Sequence, residues 1–319
     1  MKILSQASLV SGSRALVRCD LDVPLNESGQ VSETFRLDAS IPTLKFLMDH
    51  EVFPVIMGHM GRPEGAYKEE LSTKQLIPYF ENTLGKGKFE LLENLRFDKR
   101  EEENDLEFAK ELAGKADFYV NESFATCHRK AASITGVAAI LPAYAGLRLE
   151  QEVATLSKIM VEPERPFVAI VGGVKIESKK PVISKFLEVC DHVLVGGKIG
   201  MEWTDLVPEN LFLPIDYAED SKDIGDNTIA KFKEVLSSAK SVIWSGPLGY
   251  CEGGFDKGTK EVAQAVIDSG AHSIIGGGDT VATMNTLGCL AKFDFASTGG
   301  GAMLQFLVEG TLPGIEALN

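Results

Sequence analysis

Short apolar runs alternate with helix-periodic segments along almost the whole of this chain, and that alternation decides its fold class. The runs RALVRCDL, VFPVIM, FELLENL, FYVNES, PFVAIVGG, HVLVGG, LFLPID, SVIWSGP, HSIIGGG and FDFASTGG have strand character. Between most of them lie segments with apolar residues at 3.6-residue spacing, among them RLDASIPTLKFLMDH, DLEFAKELAGKA, NTIAKFKEVLSSAK and GTKEVAQAVIDSG. Parallel strands need crossover connections and helices supply them, so the pattern predicts an α/β protein with helices on both faces of parallel sheets. No repeat of solenoid length and no low-complexity tract competes with that reading.

A chain of 319 residues is long enough for two such domains. The stretch AGLRLEQEVATLSKIM predicts one longer helix, and the Pro-containing VEPERP after it begins a new set of strands. The expected division is therefore 1–160 and 161–319, with a cleft between two α/β halves joined by a helix.

A formal net charge of -14 argues against nucleic acid and against anionic membrane surfaces as partners, because both need a cationic face. If the ligand is an anion, the chain must gather its cations locally. The opening MKILSQASLVSGSR lacks the apolar core of a signal peptide, and no apolar run approaches the ~20 residues that span a bilayer. Five cysteines (Cys19, Cys127, Cys190, Cys251 and Cys289), odd in number and without a CxxC, are expected to be reduced thiols of a cytoplasmic protein.

The two halves differ in how their strands end. In the first half they end in charge: Asp20 and Asp22 in RCDLDVP, His59 and Arg62 in GHMGRP, Arg96 in ENLRF and Arg129 in ATCHRKAAS, with Arg36 of ETFRLD near the first helix start. The GHMGRPEG stretch reads either as a solvated turn or as an anion site at the carboxyl end of a parallel strand, where open α/β sheets bind ligands. In the second half the strands end in glycine: VGGVK, VGGK, SGPLG, IGGGDT and STGGGA.

Glycines beside a helix start let backbone N–H groups point at a phosphate, with the helix dipole behind them. IGGGDTVATM and STGGGAMLQFL both follow that plan. There is no GxxxxGK[ST], and no GxGxxG follows a strand, so neither a P-loop nor a dinucleotide fingerprint is present. Lys175 and Lys179 stand four apart; if helical, they share a face and either reach one polyphosphate or simply face solvent. Asp279 is placed either to meet a divalent cation carried by a nucleotide or to cap a helix. The five histidines show no zinc spacing, and adjacent Cys127 and His128 are poorly placed as nucleophile and base.

Taken together, RCDLDVP, TFRLDASIPTLKFL, GHMGRPEG, LLENLRF, VNESFATCHRKAASITGVA, PERPFVAIVGGVKIESK, IWSGPLG, IIGGGDT and STGGGAMLQFL closely resemble the signatures of phosphoglycerate kinases, in order and from end to end. The resemblance implies two Rossmann-like three-layer α/β domains whose parallel sheets face a central cleft, joined by a long helix, with the last residues returning to the first domain. It implies a cytoplasmic, monomeric, hinge-bending kinase of glycolysis and gluconeogenesis. Its substrates would be small molecules: 1,3-bisphosphoglycerate and ADP on one side, 3-phosphoglycerate and ATP on the other, with Mg²⁺ as MgADP or MgATP. By position, Asp20, Asp22, Arg36, His59, Met60, Gly61, Arg62, Arg96 and Arg129 would line the glycerate site. Gly172, Gly173, Lys175, Lys179, Pro247, Gly249, Glu252, Gly277, Gly278, Asp279 and Thr280 would line the nucleotide site, with Asp279 on the metal and Glu252 on the ribose. Arg36, Lys175, Lys179 and the backbone of Gly278 and Gly300 would carry the transfer, which asks mainly for in-line positioning and positive charge.

The chain departs from the family locally. Residues 198–222 are short where the family has a longer excursion on the adenine side, and Lys198 stands where glycine is common. Asp22 and Ser245 each replace an asparagine. A carboxylate ~4 Å from a substrate charge costs about 1 to 4 kcal/mol at dielectrics of 80 to 20 unless an arginine offsets it. The alternatives these departures raise are a non-catalytic relative binding a phosphorylated acid or a partner, and a kinase for another acyl phosphate.

Overall fold

The computed structural model describes residues 1–26 and 29–319 and divides into two compact units, Met1–Ala154 with Thr311–Asn319, and Thr155–Gly310. The first unit holds a sheet of strands β1 (Arg14–Arg18), β2 (Phe53–Met57), β3 (Glu90–Leu91), β4 (Phe118–Asn121) and β5 (Ala143–Ala145) in the order β3-β2-β1-β4-β5. Every pairing is parallel, with Leu16 opposite Val55 on one side and Tyr119 on the other. Helices α1 (Phe35–Asp49), α2 (Ile77–Leu84) and α3 (Leu106–Ala113) provide crossovers, and α4 (Leu147–Val161) spans the division between the units.

The second unit carries β6 (Phe167–Val171), β7 (His192–Val195), β8 (Leu211–Phe212), β9 (Ser241–Ser245), β10 (His272–Gly276) and β11 (Phe295–Ser297), again all parallel, in the order β11-β10-β9-β6-β7-β8. Its helices are α5 (Ile176–Val189), α6 (Gly197–Met201), α7 (Asp226–Leu236), α8 (Lys257–Ser269), α9 (Gly278–Thr286) and α10 (Gly300–Glu309). A last turn, α11 (Pro313–Glu316), belongs to the first unit, where Lys2 N–H donates to the Leu318 carbonyl at 2.8 Å.

Both sheets are covered on both faces, which is why the strands read as continuous apolar runs rather than alternating ones. All five residues of FVAIV in β6 and of SVIWS in β9 are buried. Each buried Val, Ile or Leu contributes about 1.5–3 kcal/mol of hydrophobic free energy. In both sheets the connection order reverses beside the first strand, between β1 and β4 and between β6 and β9, and such reversals open a crevice at the carboxyl edge.

Strand and helix boundaries follow the sequence closely in the long elements and less so at the edges. FELLENL and LFLPID contribute only two paired residues each, Glu90–Leu91 and Leu211–Phe212, and β5 lies in AYA, too short a run to carry a periodic signal.

Candidate functional site

At the carboxyl edge of the first sheet a cavity of about 290 Å³ is lined by Arg18, His59, Arg96, Arg129 and Lys130, with the carboxylates Glu101 and Glu102 on its wall. Arg18 is the most enclosed, at 1% exposure. A buried guanidinium is tolerable only when its donors are satisfied. Its Nε donates to Ser133 Oγ at 3.0 Å, Nη1 to the Cys19 carbonyl and Nη2 to His59 Nδ1 at 2.8 Å. Because a guanidinium only donates, Nδ1 must accept, and the neutral ring carries its proton on Nε2, 4.0 Å from Asp22 Oδ2. Burial, reinforced by Arg18, Arg96, Arg129 and Arg36, holds the imidazole well below its ordinary pKa.

The loop after β2 is fixed by its neighbours. Gly61 takes φ +61, a side chain there would strike Leu71, its N–H donates to Asp22 Oδ1 at 2.8 Å, and its carbonyl accepts from Arg96 Nη1 at 2.8 Å. Asn94 positions Arg96, accepting its N–H at 3.1 Å while donating to the Met60 carbonyl at 2.7 Å. Arg36, in the first turn of α1, donates to the Asp22 carbonyl at 3.0 Å and pairs with Asp20 at 3.5 Å. Burial pushes the Asp20 carboxyl up, and Arg36 and Arg18 oppose that shift.

At the carboxyl edge of the second sheet three helices, α5, α9 and α10, begin directly after β6, β10 and β11. At the switch point the loops after β6 and β9 are in backbone contact: Gly172 N–H donates to the Ser245 carbonyl and Gly173 N–H to the Pro247 carbonyl, both at 2.9 Å. A Cβ at Gly172 would lie 2.1 Å from the Pro247 carbonyl oxygen, so this position tolerates only glycine. The α9 and α10 starts are equally close, since a Cβ at Gly300 would lie 2.8 Å from Gly277 Cα. Two sets of orphan helix N–H groups therefore converge.

Two cavities flank these helix starts. One, about 760 Å³, has Tyr217, Leu248, Tyr250 and Leu287 among its walls together with Lys198, Glu252 and Asp279. The other, about 500 Å³, is lined by Lys179, Ser245, Gly278, Asp279 and Gly300. Asp279 borders both. Lys179 Nζ donates to Ser245 Oγ at 3.0 Å, and burial lowers its pKa to about 8 against the opposing pull of Asp279. A partly apolar chamber meeting a positively polarised, glycine-walled one suits a ligand with a flat organic end and a polyanionic tail.

A family model described as phosphoglycerate kinase matches residues 5–90, 81–206 and 213–310. The chain belongs to the phosphoglycerate kinase family. The phosphoglycerate kinase of Leptospira biflexa serovar Patoc (strain Patoc 1 / Ames) is 36% identical over 392 positions, covering 100% of this chain and 98% of the relative. That of Herpetosiphon aurantiacus is 38% identical and covers 97% of each. Among solved structures, phosphoglycerate kinase from Coxiella burnetii has a TM-score of 0.84 at 32% identity, covering 99% of this chain and 98% of its own. That from Pyrococcus horikoshii OT3 has a TM-score of 0.86 at 27% identity, covering 100% and 98%. The 392 positions matched to Leptospira exceed the 319 residues here by 73, so that phosphoglycerate kinase has at least so many residues without a counterpart. The break in the family match after residue 206 falls inside the short stretch 198–222. There α6 has only five residues and β8 two, yet the 760 Å³ chamber is still walled by Tyr217 and residues 220–223.

Of the residues expected to hold the acid substrate of a phosphoglycerate kinase, His59, Arg96 and Arg129 line the basic cavity. Asp20, Asp22, Arg36, Met60 and Gly61 form the hydrogen-bonded loops beside it, with Met60 itself buried. Arg62 is exposed, lies outside the cavity lining, and no ion pair or hydrogen bond holds its guanidinium among the described residues. Of those expected at the nucleotide, Gly173, Pro247, Gly249 and Glu252 line the larger chamber, Lys179, Gly277, Gly278, Thr280 and Gly300 the smaller, and Asp279 both. Thr280 turns its hydroxyl inward, where Oγ1 accepts the Gly246 N–H at 2.7 Å. Lys175 differs from the helical reading: it is the extended cap residue before α5 (φ -106, ψ 94), so it and Lys179 do not share a helical face.

Arg18, Glu101, Glu102 and Lys130 also line the basic cavity and are not among the residues expected from the sequence. Arg18 is the last residue of the strand rather than beyond it, and RALVR carries two arginines, of which only Arg18 is buried, a difference the sequence does not mark. The two glutamates sit in an acidic run, EEEND, that reads as a solvated face.

Proposed function

We propose that the chain catalyses reversible phosphoryl transfer between 1,3-bisphosphoglycerate and ADP, giving 3-phosphoglycerate and ATP in glycolysis and gluconeogenesis. The observation that carries this reading is the contrast between two anion sites. One is built from guanidinium and imidazole side chains, the other from helix N-termini and a half-buried lysine. The first suits a small acid with a phosphate at one end, and the second suits a nucleotide tail.

In this reading His59, Arg96 and Arg129 bind the acid, with Arg18 and Asn94 holding the first two in place. The purine and ribose lie in the 760 Å³ chamber near Glu252, and the phosphates run past Asp279 toward Lys179 and the first N–H groups of α9 and α10. Arg36 and Lys179, with the Gly278 and Gly300 amides, neutralise the equatorial oxygens during transfer. Lys175 stands exposed at the α5 cap, outside the lining of both cavities, and is assigned to the phosphates by the family resemblance alone. An acyl phosphate needs no protein nucleophile. Both substrates must share one water-poor space, so hinge-bending of the two units is part of the proposal.

Mg²⁺ fits this arrangement as a companion of the nucleotide. It typically takes one or two carboxylates plus phosphate oxygens, and Asp279 offers one carboxylate beside the phosphate path. Among the described residues no group of three or more His, Cys, Asp or Glu is arranged for a metal, so nucleotide oxygens would supply much of the coordination. Among the described residues no helix is long and apolar enough to cross a membrane. Independently of that, the likeness to phosphoglycerate kinases is our ground for proposing a cytoplasmic monomer. A second reading, a different acyl-phosphate substrate, is favoured only by Asp22, whose carboxylate is fixed by Gly61 beside His59.

A coupled assay with 3-phosphoglycerate, MgATP and excess dehydrogenase tests the proposal. Turnover well above an Arg36→Ala control is expected; turnover equal to that control refutes it.

A further inference from the structure

The basic cavity contains its own anion. Glu102 Oε1 lies 3.4 Å from Arg96 Nε and 3.6 Å from Arg129 Nη1, so one carboxylate oxygen bridges two guanidinium groups on the cavity wall. Its neighbour Glu101 behaves differently. That carboxylate is buried and held by Ser133, whose N–H donates to Oε2 at 3.0 Å and whose hydroxyl donates to Oε1 at 2.6 Å. Glu102 has a half-exposed side chain, and its ion pairs with Arg96 and Arg129 are longer than an ordinary charge-assisted hydrogen bond. Glu101 is buried and hydrogen-bonded, whereas Glu102 borders solvent and, among the described residues, is held only by its two ion pairs.

We propose that Glu102 is an internal stand-in for the ligand's anionic group, which keeps Arg96 and Arg129 converged in the unliganded protein and must be displaced when a phosphate or carboxylate enters. The inference rests on the assignment of this cavity to the acid substrate. Without a counter-anion Arg96 and Arg129 would repel each other, and an incoming anion takes over from Glu102 the role of offsetting that repulsion. With Glu102 in place they stay converged, at the expense of affinity, because each incoming anion competes with a tethered one. Glu102 thereby discriminates among anions. A ligand that makes one weak contact does not displace it, whereas one bearing a dianionic phosphate and a second anchoring group does. Arg96 keeps its bond to the Gly61 carbonyl in either case, so displacement frees guanidinium edges without releasing the loop.

Calorimetry on the full chain and on Glu102→Gln, with inorganic phosphate and separately with 3-phosphoglycerate, tests this. Removing one charge at about 4 Å from an anion in a wet site changes affinity on the order of five-fold. Phosphate is expected to bind Glu102→Gln about five-fold more tightly than the unaltered chain, and 3-phosphoglycerate to shift the same way. In steady state KM for the acid should fall; if Glu102 served only to hold the arginines in place, neutralising it would raise KM. Glu102→Ala gives the same direction if lost repulsion is the cause, and a thermal unfolding curve for each variant separates this from damage to the fold. Equal or weaker phosphate binding by both variants overturns the inference. The two proposals fail separately: phosphate tightening without any 3-phosphoglycerate binding defeats the substrate assignment alone, and 3-phosphoglycerate binding unaffected by either variant defeats the role of Glu102 alone.

Discussion

Arg18 Nη2 donates to His59 Nδ1 at 2.8 Å, inside a cavity wall where both side chains are buried. The contact fixes which nitrogen carries the proton and turns His59 into a constitutive Nε2–H donor. The groups around it are Arg18, Arg96, Arg129 and Arg36 on the positive side and Asp22 on the negative. Nitrogen-15 NMR of the ring should show the neutral Nε2–H tautomer down to pH values where an ordinary histidine is charged. The folded pKa is depressed, so below about 6.5 the unfolded chain binds a proton that the folded chain refuses. Stability should fall as pH drops through about 6.5, and His59→Gln should remove that part of the slope. A ring that titrates near 6.5 contradicts the Arg18 contact.

Glu122, at the end of β4, caps the linker helix from outside: Oε1 accepts from Thr43 Oγ1 at 2.5 Å and from the Arg148 N–H at 3.0 Å. Burial outweighs these bonds and pushes its pKa up to about 8. A raised folded pKa means stability present below the unfolded value near 4.5 and lost as pH rises through about 8. Denaturant melts between pH 5 and 9 should show that decline, and Glu122→Gln should flatten it.

Gly146 leaves no room beside that carboxyl, since a Cβ there would lie 1.8 Å from Glu122 Oε2. Gly146→Ala should cost about 1–3 kcal/mol or more, read as a lower denaturation midpoint at unchanged slope. An unaffected midpoint would mean that Glu122 does not pack against the helix start.

Lys179 should set the alkaline limb of activity. Burial lowers its pKa to about 8, and the charge it would bring to the phosphates in the proposed reaction disappears as pH rises through that value. The transfer rate should therefore fall above pH 8, with the limb moved upward under saturating nucleotide because a bound polyanion favours the charged form. Lys179→Met should reduce kcat at least a hundredfold, with a smaller effect on nucleotide KM, if the charge acts mainly in transfer.

Asp22 should cost affinity for an anionic acid. Asparagine keeps the oxygen that accepts from Gly61 and removes the charge, so Asp22→Asn should lower KM for 3-phosphoglycerate several-fold. A higher KM would show instead that the carboxylate accepts a bond from the substrate.

Much of this was legible in the sequence because parallel strands and crossover helices leave different periodicities. HSIIGGG and FDFASTGG end in glycines that the structure places beneath two helix N-termini, and a backbone requirement of that kind is visible without coordinates. Three features were not legible. Arg18 is charged but points from within a buried strand, Lys175 precedes its helix by one residue, and Glu102 pairs with Arg129 from 27 positions away. Each depends on where the chain folds back, which local pattern does not encode. The 760 Å³ chamber was likewise unreadable, because its wall combines residues 217 and 220–223 with the loop 247–252 across the sheet.

The most direct measurement is phosphorus-31 NMR of the protein with MgATP and 3-phosphoglycerate in the presence of hydroxylamine, which traps acyl phosphates. ATP should be converted to ADP only when 3-phosphoglycerate is present, with phosphate released in step with hydroxamate. An unchanged spectrum, or phosphate release that ignores the acid, would contradict phosphoryl transfer between the two sites.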